Sequence, residues 1–450
     1  MIFRIKFLTP ILILPLLLIQ THSSAQKQKK ADKLLLGNLQ AHVHYLSDGR
    51  LQDRRTGTPG EKAASDYISS ELSRIGLRPK GDNNGWLQAF DIDQGRQVSA
   101  DAFLMVNDHS LVLNKEYFPL SFSAVGSVSG SPAIALQESG VPWFQDVRDL
   151  IEAGAGNPRF DLRSAIRARA AVCAKKGATA LILYNSGKAA DNLSFDPREK
   201  SEPVAIPVLY VTREAKKKYL RDEEASLDIR LKVDFSEKER TGHNVIGFLD
   251  NGAPSTVIIA AHYDHEGTGG DTALRHDTGI AEKTSMDDAG GVAAMIELSR
   301  MLATSKLKNN NYLFVAFSGE EQGSYGSKYL AAHLPVDPKQ VNYMLDMDRI
   351  DPQYDSSHAL LVGGYGTSPA WWGICRGVKE QKGLSYRLDS AYRREGDYSS
   401  FYLRHIPVLA FYTGPDDNDC NNGLMIVRFI YQVVTGANNR GRLAFTKLPS

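Results

Sequence analysis

"STVIIAAHYDH", residues 255–265, carries an unbroken apolar run from Val257 to Ala261 and closes on His262 and Asp264. A strand with one wet face alternates polar and apolar side chains, whereas a run without alternation suits a strand covered on both faces. Three further stretches share this character: "NYLFVAFSG" (311–319), "VNYMLDMD" (341–348) and "HIPVLAFYTG" (405–414). Segments with helical spacing alternate with them. The pattern predicts an α/β domain with a mixed, mostly parallel central sheet flanked by helices.

Outward from this core the rhythm changes. Between about Phe90 and Phe235, short runs such as "DAFLMVN" (101–107), "ATALILYN" (178–185) and "AIPVLYVT" (205–212) are broken by Gly, Pro and Asn and read as strands of a second, β-rich unit. The α/β domain is expected at 26–94 and 236–450, with the insert at 95–235. Upstream, Ala63, Ala64, Tyr67, Ile68, Leu72 and Ile75 form a helical stripe that Gly76 ends. Residues 1–25 read as a signal peptide: Arg4 and Lys6, an apolar run from Phe7 to Ile19, then Ser23, Ser24 and Ala25 ahead of Gln26. Export to the periplasm or the cell exterior is the expectation, with no membrane partner for the mature form.

At 450 residues and 42% hydrophobic content the chain is long enough for two domains and a large core. Lys and Arg (53) balance Asp and Glu (52), so no bulk field attracts nucleic acid. Only three cysteines occur, Cys173, Cys375 and Cys420, too few for a disulfide framework even in an oxidising compartment.

The chemistry-bearing residues cluster where runs end. His262 has Asp264 two residues on; "FSGEEQGSYGS" (317–327) supplies Glu320 and Glu321; "MLDMD" (344–348) supplies Asp346 and Asp348. In an open α/β sheet, ligands gather beyond the carboxyl ends of the strands, where these residues fall. "MDDAGGVAAMIELSR" (286–300) adds Asp287 and Asp288 ahead of an apolar helical stripe. Alone, that pair reads as a helix cap. Together, imidazole and carboxylates without an obligatory thiolate suit zinc, one carboxylate being able to bridge two ions roughly 3.5–4 Å apart. An adjacent Glu pair can divide its labour between binding metal and taking a proton from water, and Asp264 can hold the second nitrogen of His262.

The order "AHYDH", "DDAGG", "FSGEEQGSYGS", "MLDMD", with "GRLQDRRTGTPGEKAASDYISSELSRIGLRPKG" (49–81) upstream, resembles the M28 family of zinc aminopeptidases. The middle segment resembles the protease-associated domain that exported members carry as an insert, and "FYLRHIPVLAFYTGP" (401–415) resembles their last core strand. The resemblance implies two zinc ions bridged by Asp287 and a water. His262 and Asp348 would ligate one zinc and Glu321 the other, with Glu320 as general base. The implied substrate is a peptide or small amide with a free N-terminus.

One family ligand is out of place. The resemblance calls for a histidine in the loop after the last core strand, but "TGPDDNDCNNGLMIVRFIYQVV" (413–434) runs straight into the final helix, and His405 is the last histidine. Cys420, five residues after Pro415, stands at the matching position, with Asp417 and Asp419 on the same loop; the plain alternative is an inert thiol and the loss of one zinc. Met286, Arg349, Asp351 and Tyr398 also depart from the family's usual residues. The leading reading is a secreted metal-dependent aminopeptidase. The alternatives are an impaired or inactive homologue that binds peptides or partners, and a one-zinc amide hydrolase or cyclising enzyme using His262, Asp287 and Asp348.

Overall fold

In the computed structural model, which describes residues 14–157, 159–265, 278–348, 350, 359–379, 384–389, 396–413 and 423–448, the four apolar runs are neighbouring strands. The chain divides into two units, residues 1–92 with 241–450, and residues 93–240. The first holds helices α1 (Leu14–Leu46) and α2 (Pro59–Ile75) and the start of strand β1 (Leu87–Val98), which runs on into the second unit and pairs with strand β2 (Phe235–Leu249), returning from it. Next come β3 (Thr256–His262), α3 (Thr278–Ala303), β4 (Asn311–Phe317), α4 (Tyr325–Ala332) and β5 (Val341–Met347). The chain ends with β6 (Ala359–Gly363), α5 (Pro369–Arg376), β7 (Ser385–Asp389), α6 (Tyr398–Tyr402), β8 (Val408–Tyr412) and α7 (Gly423–Asn438).

Among the described residues these strands form a nine-stranded sheet whose path runs from the short strand Arg78–Pro79 through β2, β4, β3, β5, β8 and β6 to β7. The central four, β4, β3, β5 and β8, are mutually parallel; β2 and β6 join their neighbours antiparallel. Every residue of β3, β4 and β5 is buried, which is why their sequences do not alternate. Val257, Ile259 and Ala261 face a core built with α1, α2, α3, α5 and α7, while Ile258 and Ala260 face a second core with Leu330 of α4 and Phe401 of α6. From β3 the chain goes to β4 on one side and then crosses to β5 on the other. That reversal opens a crevice at the carboxyl ends of these strands.

α3 starts at Thr278, well ahead of Asp287, so Asp287 and Asp288 lie inside the helix and the capping duty expected of them is corrected. No Gly or Pro interrupts Ile280 to Met286, so the helix extends back through this segment. Gly291 has a separate reason to be there. A Cβ at this position would come within 2.3 Å of the Met347 carbonyl oxygen, so glycine lets α3 lie against the end of β5. Gly291→Ala is expected to cost about 2–3 kcal/mol, the upper range for overpacking against a backbone that cannot yield; urea unfolding of the two proteins measures it.

α1 passes through the expected cleavage point near Gln26, and Leu35, Leu39, Val43 and Leu46, beyond that point, are buried. No helix among the described residues is long and apolar enough to cross a membrane. α2 has Thr58 as its N-cap, Pro59 in its first turn and Gly76 at its C-cap with φ 94°, a conformation that favours glycine.

The second unit contains two four-stranded sheets. One is antiparallel, in the order 109–110, 103–106, 229–233, 126–130; the other orders 117–119, 208–211, 181–184, 143–146, with its last three strands parallel. Helices Arg148–Ala153, Leu162–Lys175 and Arg213–Tyr219 accompany them, so the unit is α/β rather than only β. Cys173 here and Cys375 in the first unit are buried free thiols, and Cys420 lies outside the described residues.

Candidate active site

β3 and β5 end side by side and deliver the central pair. His262 closes β3, and Asp348 follows β5, its main-chain N–H donating to the Phe411 carbonyl of β8 at 3.1 Å. His262 Nε2 lies 3.2 Å from Asp348 Oδ1. The ring's other nitrogen, Nδ1, lies 3.2 Å from the main-chain oxygen of Asp264. A carbonyl only accepts, so Nδ1 carries the proton, and in the neutral ring Nε2 turns a lone pair towards the carboxylate oxygen. Two acceptors facing one another require a proton or a cation between them. The donor types, imidazole nitrogen and carboxylate oxygen, fit zinc.

The expected contact of the Asp264 side chain with His262 takes another form. Its carboxylate oxygen is 3.8 Å from Nδ1, while Oδ1 accepts the main-chain N–H of Glu320 at 3.1 Å and Oδ2 accepts from Thr56 Oγ1 at 3.3 Å. The residue therefore ties His262, through its carbonyl, to the turn that carries Glu320. That turn leaves β4 through Gly319, at φ 74°, and closes with the N–H groups of Gly323 and Ser324 both on the Glu320 carbonyl.

Burial lifts the Glu320 carboxyl to about 7, with Asp348, Asp264 and Glu321 adding to the rise and His262 opposing it. Glu321 Oε1 lies 4.0 Å from Nδ1 of His265, a histidine not singled out in the sequence reading although it stands in the same "HYDH". Behind the central pair, Asp346 accepts the Tyr398 N–H at 3.1 Å and is buried to the point that its carboxyl rises to about 8, with Asp348 contributing. Asp397 is buried beside it, and burial, then Asp346 and Glu320, push it well above the usual carboxylate range, against an opposing hydrogen bond from Ser327. Asp397 does not stand out in the sequence either, because "EGDYSS" (395–400) reads as an exposed loop.

Several expected donors cannot be placed. The side chain of Asp287, and Cys420, Asp417, Asp419, Arg349 and Asp351, lie outside the described residues. Among the described residues no three His, Cys, Asp or Glu side chains converge as a metal-holding set. His405 stands at the amino end of β8, its ring 5.2 Å from that of Phe445, at the opposite edge of the sheet from His262.

An α/β sheet that gathers a histidine and carboxylates at the carboxyl ends of its parallel strands, one acid held near neutrality, has the form of a hydrolytic metalloenzyme. Residues 244–425 match the model of Peptidase family M28, and with the relatives below this match marks the chain as a metallopeptidase. It is similar to Aminopeptidase YwaD of Bacillus subtilis (strain 168), 27% identical over 84% of this chain and 75% of that protein. It is also similar to a probable leucine aminopeptidase 2 of Aspergillus oryzae, 26% identical over 79% of this chain and 68% of that protein. Among solved structures it resembles the zinc aminopeptidase BSAP from Bacillus subtilis at 17% identity and a TM-score of 0.48, covering 89% of this chain and 95% of that one.

Proposed function

We propose that this chain is an exported zinc aminopeptidase that hydrolyses the first peptide bond of substrates with a free N-terminus. The observation that carries the reading is the approach of His262 Nε2 to Asp348 Oδ1 at 3.2 Å, beside a Glu320 carboxyl that burial lifts to about 7. In this reading His262 and Asp348 would hold one zinc, Asp287 would be shared with a second, and Glu321 would serve that second ion with Cys420, or Asp417 or Asp419, as a further donor. Bound zinc supplies Lewis-acid polarisation and acidifies water. Glu320 receives the proton of the attacking water on a carboxylate oxygen and hands it to the departing amine nitrogen. A nearby cation brings its pKa down from the metal-free value, keeping the base ionised at neutral pH. The Asp264 carbonyl fixes which nitrogen of His262 is free. The unit at 93–240 is read as a protease-associated insert, and the mature chain as starting near Gln26.

The test pairs metal analysis of the purified mature protein with a panel of amino-acid p-nitroanilides and their N-acetylated counterparts. Two zinc ions per chain, turnover of the free-amine substrates and none of the acetylated ones is the expected result. Cys420→Ala is expected to reduce zinc towards one ion per chain and to abolish turnover. Full zinc content without turnover of any free-amine substrate would overturn the aminopeptidase reading and favour a peptide-binding role.

A further inference from the structure

We propose that the segment from Arg54 to Glu61, which lies outside the residues matched by the family model, is a strap that positions the active site, and that Thr56 acts through Asp264 on both His262 and Glu320. The strap is anchored at each end by buried charge. Arg54, fully buried, donates Nε–H to the Tyr263 carbonyl at 2.7 Å and Nη1–H to the Leu46 carbonyl, so it grips the peptide directly after His262. Glu61, also buried, accepts main-chain N–H groups of Gly57 and His243, both at 2.9 Å, and lies 2.7 Å from Ser318 Oγ. Ser318 is the residue that leads from β4 into the Glu320 turn. The two grips therefore fall on the two strand ends that deliver the histidine and the base.

Thr56 lies between these anchors and has no exposed surface. Its Oγ1 is 3.0 Å from Ser318 Oγ and 3.3 Å from Asp264 Oδ2. Each hydroxyl has one proton. That of Ser318 goes to the Glu61 carboxylate, its shorter approach, and a carboxylate outcompetes a hydroxyl as acceptor for that of Thr56. Thr56 thus donates to Asp264, whose other oxygen holds the Glu320 N–H and whose carbonyl holds His262 Nδ1. Without the hydroxyl, one lone-pair direction of a buried carboxylate loses its partner and Asp264 is free to rotate. Partners that orient a ligand in this way are typically worth about 10–100-fold in metal affinity or activity.

The inference rests on the peptidase reading, and its test is arranged so that the two can fail separately. Thr56→Val removes the hydroxyl at nearly constant volume, and Thr56→Ser restores it. Zinc titration of the metal-stripped full chain is expected to give a dissociation constant about 10-fold weaker for Thr56→Val and near the parent for Thr56→Ser. On leucine p-nitroanilide, Thr56→Val is expected to lower kcat about 10-fold with KM within twofold, and Thr56→Ser to recover it. A parent that binds zinc without turning over the substrate defeats the aminopeptidase reading, and the zinc comparison still decides the strap. Parent-like zinc affinity in Thr56→Val, or equal impairment in both variants with equal loss of thermal stability, would overturn the positioning role. If Thr56→Val does not fold, Asp264→Asn carries the comparison, because it keeps an oxygen for the Glu320 N–H and removes the charge that Thr56 serves.

Discussion

Glu320→Gln is expected to retain zinc while losing roughly 10²–10⁴-fold in kcat, the usual share of a general base. The amide cannot take a proton from water, yet it has nearly the size and shape of the carboxyl. The bond that fixes the turn is made by the Glu320 main-chain N–H to Asp264 Oδ1, so it survives the change. Glu321→Gln is expected to act differently, weakening zinc by 10-fold or more, because that carboxylate lies towards His265 and is read as a metal donor. Zinc content and single-turnover rates on the two variants separate the roles. Equal loss of metal in both would show that the pair is assigned the wrong way round.

The parts of this molecule legible from sequence are those whose physics is local. Val257 to Ala261 announce a doubly covered strand because no polar residue interrupts them, and the parallel pairing of β3 with β4 and β5 follows from that burial. His262, Glu320 and Asp348 stand out because chemistry-bearing residues at strand ends gather in one place. Thr56 could not be read in this way. Its partner Asp264 is 208 residues away, and only the folded register joins them. Asp397 was hidden for a similar reason: its carboxyl is buried by a turn at Gly396, φ 97°, next to Asp348, whereas an Asp in "EGDYSS" (395–400) reads as an exposed loop residue. Asp287 misled through its neighbours, since an acidic pair before an apolar stripe reads as a cap when the helix in fact begins earlier.

Stripped of divalent metal, the protein is expected to lose stability steadily as pH rises from about 4 to 8, and to recover it when zinc is added. Three buried acids of the crevice drive this loss. Burial raises Glu320 to about 7 and Asp346 to about 8, from ordinary values of 4.5 and 3.8, and lifts Asp397 well above the usual range. In the unfolded chain these groups release their protons near pH 4, whereas the folded chain holds them to about 7 or higher. Between those limits the folded state binds more protons, so unfolding becomes easier with each step in pH, at a rate set by that difference. The contribution is complete below the unfolded values and is gone once pH passes the folded ones. For Glu320 alone the span corresponds to on the order of 3 kcal/mol, and Asp346 adds to it in the same direction. A cation at His262 and Asp348 reverses the balance by favouring the ionised carboxylates, so zinc should stabilise more at pH 8 than at pH 5. Asp346→Asn isolates the effect, since its side-chain oxygen still accepts the Tyr398 N–H and no charge has to be buried. Thermal unfolding of the metal-free parent and of Asp346→Asn across pH 4–8 should give a falling curve for the parent and a shallower one for the variant. At pH 8 the variant should be the more stable by on the order of 2 kcal/mol. A metal-free parent whose stability is flat or rises over this range would mean that these carboxyls ionise without cost, and that the crevice is wetter than their burial implies.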